Sequence, residues 1–152
     1  MSTTNGTTQK IKITLTGTRP VMIDPTIWPC IAVAEDKEFD NQYEFQANCI
    51  SKWKLLVRRH AKGCALVYGI YTYTSQWQNR HDYDIRCGLK LAPGADLASA
   101  IADVARQMEE AVGDDMPDDA TAFRRLGREC VGDLPAEEIE CCTEEGDNDD
   151  AS

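Results

Sequence analysis

The residues best equipped for chemistry are two histidines, each followed at short range by a cysteine: His60-x3-Cys64 and His81-x5-Cys87. Imidazole nitrogen and thiolate sulfur are the donors zinc prefers, and a structural site needs four of them in a tetrahedron. Here each pair spans a turn or a loop, so spacing alone does not point to a metal and none is expected. Beside His81 stands Asp82-Tyr83-Asp84, two carboxylates next to a base that titrates near neutrality, the ingredients of general acid–base catalysis. A polar loop between two strands has the same composition without any catalytic task, and that reading is preferred. Gly63, Gly69, Gly88 and Gly94 are scattered over separate elements and make no phosphate-binding loop. No Ser/His/Asp or Cys/His arrangement is recognisable, so an enzyme working through His81, Asp82 or Asp84 is the least favoured of three function classes, and no cofactor is expected.

Seven cysteines stand at positions 30, 49, 64, 87, 130, 141 and 142, an odd number with no CxxC pair. That pattern argues against both a disulfide framework and a zinc module and fits reduced thiols in a cytoplasmic protein. Cys30, Cys64 and Cys87 are expected as small core residues, and Cys141 and Cys142 as exposed thiols of a polar tail.

Charge supplies the stronger binding signal. The 152-residue chain carries a net charge of −10, yet residues 1–95 hold twelve Lys/Arg against eight Asp/Glu, and residues 96–152 hold four against eighteen. In the basic half, if Trp53, Leu55 and Val57 face a core, then Lys52, Lys54 and Arg58 face away; Arg86 and Lys90 share one parity opposite to Ile85, Cys87, Leu89 and Leu91. The strand between adds Tyr68 and Thr72, or else Tyr71 and Tyr73. A cationic sheet face bearing tyrosines can track a phosphate backbone and stack bases; it can equally be a solvated face whose charges discourage aggregation. In the acidic half, Asp114, Asp115, Asp118 and Asp119 begin an anionic surface that continues through Glu137, Glu138 and Glu140 to Asp150. Such a surface can imitate a phosphate backbone toward another protein, fold onto the chain's own basic sheet, or serve only solubility.

The elements that must position these residues follow from periodicity. Lys10–Thr16 alternates strictly and pairs through a Gly17 turn with Pro20–Ile23, a hairpin. Asp24-Pro-Thr-Ile-Trp-Pro reads as a capped helix start, predicting a helix over 26–35 with Ile27, Ile31 and Ala34 on one side. Strands are predicted around Tyr43, Phe45 and Ala47, around Trp53, Leu55 and Val57, over Cys64–Thr74 after a turn at Gly63, and through Ile85, Cys87, Leu89 and Leu91. Asp96 caps the clearest helix, whose Leu97, Ile101, Val104, Met108 and Val112 form one stripe. A weaker helix over Thr121–Cys130 can dock Phe123, Leu126 and Cys130, and Asp133 can cap a further short helix toward Ile139. The expected architecture is α+β: an antiparallel sheet of about five or six strands packed against the 97–112 helix, with a helical C-terminal segment. Residues 1–9 are expected to be disordered, 10–113 to form the domain, 114–139 an acidic linker with short helices, and 140–152 a disordered acidic tail. No apolar run reaches membrane-spanning length and the start lacks a signal pattern, so no membrane partner is expected.

Lys10-Ile-Lys-Ile-Thr-Leu15, Ile23-Asp24 through Trp28-Pro29, Asp40-Asn-Gln-Tyr-Glu-Phe-Gln-Ala-Asn48, Val57-Arg58, Tyr68-Gly-Ile-Tyr71 and Leu89 to Gly94 together resemble small accessory proteins carried by bacterial phages and plasmids. The resemblance is one of general pattern and carries no functional residues across. It implies an accessory protein of a mobile element, a group of which some members disarm host defences such as restriction or CRISPR systems. With the charge division, it makes the leading expectation a non-enzymatic, anti-CRISPR-like inhibitor of a host protein or protein–nucleic acid complex. The alternative is direct nucleic-acid binding through Lys52, Lys54, Arg58, Arg86 and Lys90. Oligomeric state is not set by these patterns.

Overall fold

The computed structural model describes residues 10–15, 19–40, 49–75 and 82–136 of the chain. It is an α+β fold with two antiparallel sheets. β1 (Ile11–Ile13) and β2 (Val21–Ile23) form the smaller sheet, in the register Ile11↔Ile23 and Ile13↔Val21. β3 (Cys30–Asp40), β4 (Cys49–Arg59), β5 (Ala65–Ser75) and β6 (Tyr83–Leu91) form a four-stranded meander in sequence order. Three helices follow: α1 (Leu97–Gly113), α2 (Pro117–Ala120) and α3 (Ala122–Gly132).

The predicted helix over 26–35 is not there. Asp24 instead closes a single turn: its Oδ1 accepts from Thr26 N at 2.9 Å and Thr26 Oγ1 at 2.6 Å, and its carbonyl accepts from Ile27 N and Trp28 N. Pro29 holds the preceding residue away from helical geometry, and from Cys30 the chain runs extended. Ala32 and Ala34 point into the core while Val33 points to the opposite face, the period of two that a strand requires. The polar stretch from Glu35, expected to end the helix, continues the strand, paired Ala34↔Leu55, Asp36↔Trp53 and Lys37↔Lys52. The predicted strand at Tyr43, Phe45 and Ala47 lies outside the described residues, as do 1–9 and 140–152.

The two faces of the large sheet are covered differently. On one face α1 and α3 pack against Trp53, Leu55, Val57, Val67, Tyr71 and Cys87. The predicted stripe is realised: Ile101, Val104, Met108 and Val112 are fully buried and Leu97 partly. Asp96 caps α1 through Oδ1, accepting from Ala98 N at 3.1 Å and Ser99 N at 3.3 Å. α1 lies close because β5 has Gly69 beneath it: a Cβ there would stand 2.6 Å from Met108 Cγ. Phe123, Leu126 and Cys130 of α3 are fully buried in this same core, so the core runs on past residue 113. On the other face the β1–β2 hairpin covers only part of the sheet, where Ile13, Leu15 and Ile23 bury Leu56, Leu66 and Tyr68.

Three smaller expectations are corrected. Cys30 is exposed and Cys64 half-buried, whereas Cys49, Cys87 and Cys130 are buried; Cys30 sits at an irregularity where β3 has only begun to pair. Asp133 does not start a helix but ends α3, and its carboxylate accepts from Val33 N of β3 at 2.9 Å. The stretch 114–119 is no plain linker, since Pro117, at a position where helices tolerate its missing N–H, opens α2. Among the described residues no helix is long and apolar enough to cross a membrane.

Candidate functional site

Cross-strand pairing puts every predicted basic residue on the hairpin-bearing face of the sheet. Its rows run Arg58–Leu66–Lys90, then Leu56–Tyr68–Gly88, then Glu35–Lys54–Ile70–Arg86, then Lys37–Lys52–Thr72–Asp84. The face is not one continuous surface. The hairpin covers Leu56, Leu66 and Tyr68 and reaches β6, where a Cβ on Gly88 would stand 2.5 Å from Leu15 Cδ2. Arg58 and Lys90 are thereby set apart from Lys52, Lys54 and Arg86. Arg58 is also engaged internally: Nε donates to the Tyr68 hydroxyl at 3.1 Å and Nη1 to the Trp28 carbonyl at 3.1 Å. It ties the turn before β3 to the sheet, so its guanidinium is engaged within the fold. Lys90 remains exposed.

The open half of the face is a shallow depression of about 840 Å³ lined by Glu35, Lys37, Lys52, Lys54, Ile70 and Thr72. Lys37 and Glu35 were missed from sequence because their segment read as the end of a helix. The alternation of Val33, Glu35 and Lys37 against Ala32, Ala34 and Asp36 was the available signal. Arg86 borders this area and forms an ion pair with Asp84, Nε to Oδ1 at 2.9 Å.

The aromatic part of the predicted stacking surface lies elsewhere. Tyr68 is under the hairpin, and Tyr71 and Tyr73 are in the helix-covered core. Among the described residues the open half therefore offers cations, Ile70 and threonine to a ligand, with Glu35 and Asp84 interspersed.

The acidic candidates divide as well. Asp119 is not a free surface charge. Its Oδ2 accepts from Ser51 Oγ at 2.9 Å and from the Tyr71 hydroxyl at 2.5 Å, and its carbonyl accepts from Trp53 Nε1 at 2.9 Å. This pins α2 to the end of the sheet. Burial, and then the Asp119 carboxylate, raise the Tyr71 pKa far above its ordinary value. Asp114, Asp115 and Asp118 are exposed. Three other acids of the helical layer have arginine partners: Asp103 with Arg106, Glu109 with Arg124, and Glu129 with Arg125, which also pairs with Asp36 of β3. Asp114 and Asp115 instead follow the C-terminus of α1, where the helix dipole opposes negative charge.

Of the two histidines only His60 lies among the described residues, and it is engaged within its own turn. His60 Nδ1 accepts from Lys62 N at 3.0 Å, and its ring meets Trp28 edge-on with centroids 5.2 Å apart. Among the described residues no group of three His, Cys, Asp or Glu is placed to hold a metal. His81 lies outside the described residues, and its neighbour Asp84 is held by Arg86. Comparison with known proteins gave no matching family model, no matching curated protein and no matching solved structure.

Proposed function

We propose that this chain is a non-enzymatic binding protein of a mobile element that occludes a host nucleic-acid-handling complex, in the manner of an anti-CRISPR. The observation that carries this reading is the anionic corner between α1 and α2. Among the described residues Asp114, Asp115 and Asp118 lie there without the arginine partners that Asp103 and Glu109 have, and two of them oppose a helix dipole. Negative charge held at such a cost suits a cationic partner, such as a groove built for phosphates. The cationic strip of Lys37, Lys52 and Lys54 lies at the same end of the sheet on the opposite face, so the two surfaces can meet complementary parts of one assembly. The test is inhibition of a purified host nucleic-acid-handling effector and capture of that effector by the protein. The Asp114→Lys/Asp115→Lys/Asp118→Lys variant is expected to lose both, and equal inhibition by this variant would sink the reading.

A second reading, direct nucleic-acid binding, is favoured by the shared face of Lys37, Lys52, Lys54 and Arg86. It predicts a gel shift by the full chain that Lys52→Glu/Lys54→Glu abolishes. For roughly three phosphate contacts on a single strand, the log–log salt slope should be about −2. Absence of any shift at low salt removes it.

A further inference from the structure

The two edges of the large sheet are treated unequally. The outer edge of β3 is attended by α3, through Asp133 on Val33 N and Arg125 on Asp36. Among the described residues no element pairs with the outer edge of β6. β6 runs nine residues without proline, and an unpaired edge of that kind is a template for another strand. Its helix-side residues Tyr83, Ile85, Leu89 and Leu91 pack on the rim of the core and stay partly exposed. Its other side carries Asp84, Arg86 and Lys90.

Read antiparallel to a copy of itself about Cys87, this strand is self-complementary. Asp84 then faces Lys90 of the copy, and Lys90 faces Asp84, giving two opposite-charge pairs on one side. On the other side Tyr83 faces Leu91 and Ile85 faces Leu89, continuing the apolar layer beneath the helices. Arg86 faces Gly88, where there is no side chain to meet. Of the adjacent registers that keep the same sides together, a slip of two residues one way sets Arg86 against Lys90 in both copies, like charge against like. A slip the other way sets Arg86 against Arg86 and Asp82 against Lys90, and Asp84 then faces Gly88 in place of a lysine.

We propose that the chain forms a two-fold dimer by pairing β6 with β6 of a second copy, joining two four-stranded sheets into one antiparallel sheet of eight. The test is sedimentation equilibrium and light scattering on the full chain over a concentration series. The wild type is expected to approach twice the 16.9 kDa chain mass. Asp84→Lys and Lys90→Asp each bring like charges together in both pairs and are expected to run as monomers. The double variant D84K/K90D restores both pairs. An equimolar mixture of the two single variants restores them in a heterodimer. Recovery on mixing separates lost pairing from lost folding, because a misfolded variant is not rescued by another variant. A wild type that stays monomeric throughout, a dimer indifferent to either single change, or monomeric variants that do not associate when mixed would each overturn the proposal.

Discussion

Asp119 shows how far a residue's role departs from its type. In the sequence it is one of several acids in a short run, and nothing in the spacing separates it from Asp118. In the fold it alone reaches back over the sheet, to Ser51 and Tyr71. The partnership joins positions 68 and 48 residues apart, which no local pattern encodes. Asp119→Ala leaves two hydroxyls without their acceptor and is expected to cost about 1–3 kcal/mol in urea unfolding. Tyr71 gives a pH signature of the same cluster. Its folded pKa is raised, so above the ordinary tyrosine value near 10 the folded state holds a proton that the unfolded state releases. Stability from this group is complete below that pH and declines as pH climbs beyond it. Tyr71→Phe should flatten the alkaline limb of a stability–pH curve, and an unchanged limb would contradict the assignment. Cys130 is parallel: burial, then Asp133 and Cys30, push its thiol up to about 12. At mildly alkaline pH, iodoacetamide followed by mass spectrometry should modify exposed Cys30 and leave Cys130 untouched until the chain unfolds.

At the level of elements, what could be read in advance tracked the length of each pattern. A stripe of five residues from Leu97 to Val112 made α1 legible, and alternation made β4 and β6 legible with their faces, whereas β5 was legible as a strand with its two faces left open. The 26–40 segment was not legible, because Asp24-Pro-Thr serves a single turn as well as a helix cap. Over the few apolar residues that follow, periods of two and 3.6 are hard to tell apart. Pairing with β4 decides between them, and that is a tertiary effect. The same misreading hid Lys37 and Glu35 from the candidate site, while Lys52, Lys54 and Arg86 were found on the face their parity predicted. Two substitutions examine the packing of these elements. Gly69→Val drives methyl groups toward Met108 and should destabilise by about 1–3 kcal/mol. Leu126→Ala, in a fully buried site of α3, should cost about 2–5 kcal/mol. A negligible loss in the second case would mean that α3 does not share the core.

At the scale of the whole molecule, charge was legible as a division along the chain, and the fold turns that division into geometry. Lys52, Lys54, Arg58, Arg86 and Lys90 reach one face of the sheet, and Asp114, Asp115, Asp118 and Asp119 lie with the helices that cover the other. Interruption by the hairpin, neutralisation of acids by arginines and internal use of Arg58 were not legible, since each depends on which elements meet. The expected boundary at 113 is likewise a feature of composition, while the core continues through Phe123, Leu126 and Cys130. Truncation after Gly113 is therefore expected to abolish cooperative unfolding, which circular dichroism in a urea series would reveal. The bond from Asp133 to Val33 N spans 100 residues, and it bears on the order in which the molecule can be made. During synthesis β3 appears early and must wait, one edge unattended, until the meander and all three helices have followed. Local strand pairing can proceed in that interval, but α3 closes the sheet last. Among the described residues, a nascent chain arrested before α3 would leave both edges of the four-stranded sheet open, where the finished fold leaves only that of β6. Chaperone dependence and aggregation of such an arrested chain should fall once α3 is free to dock.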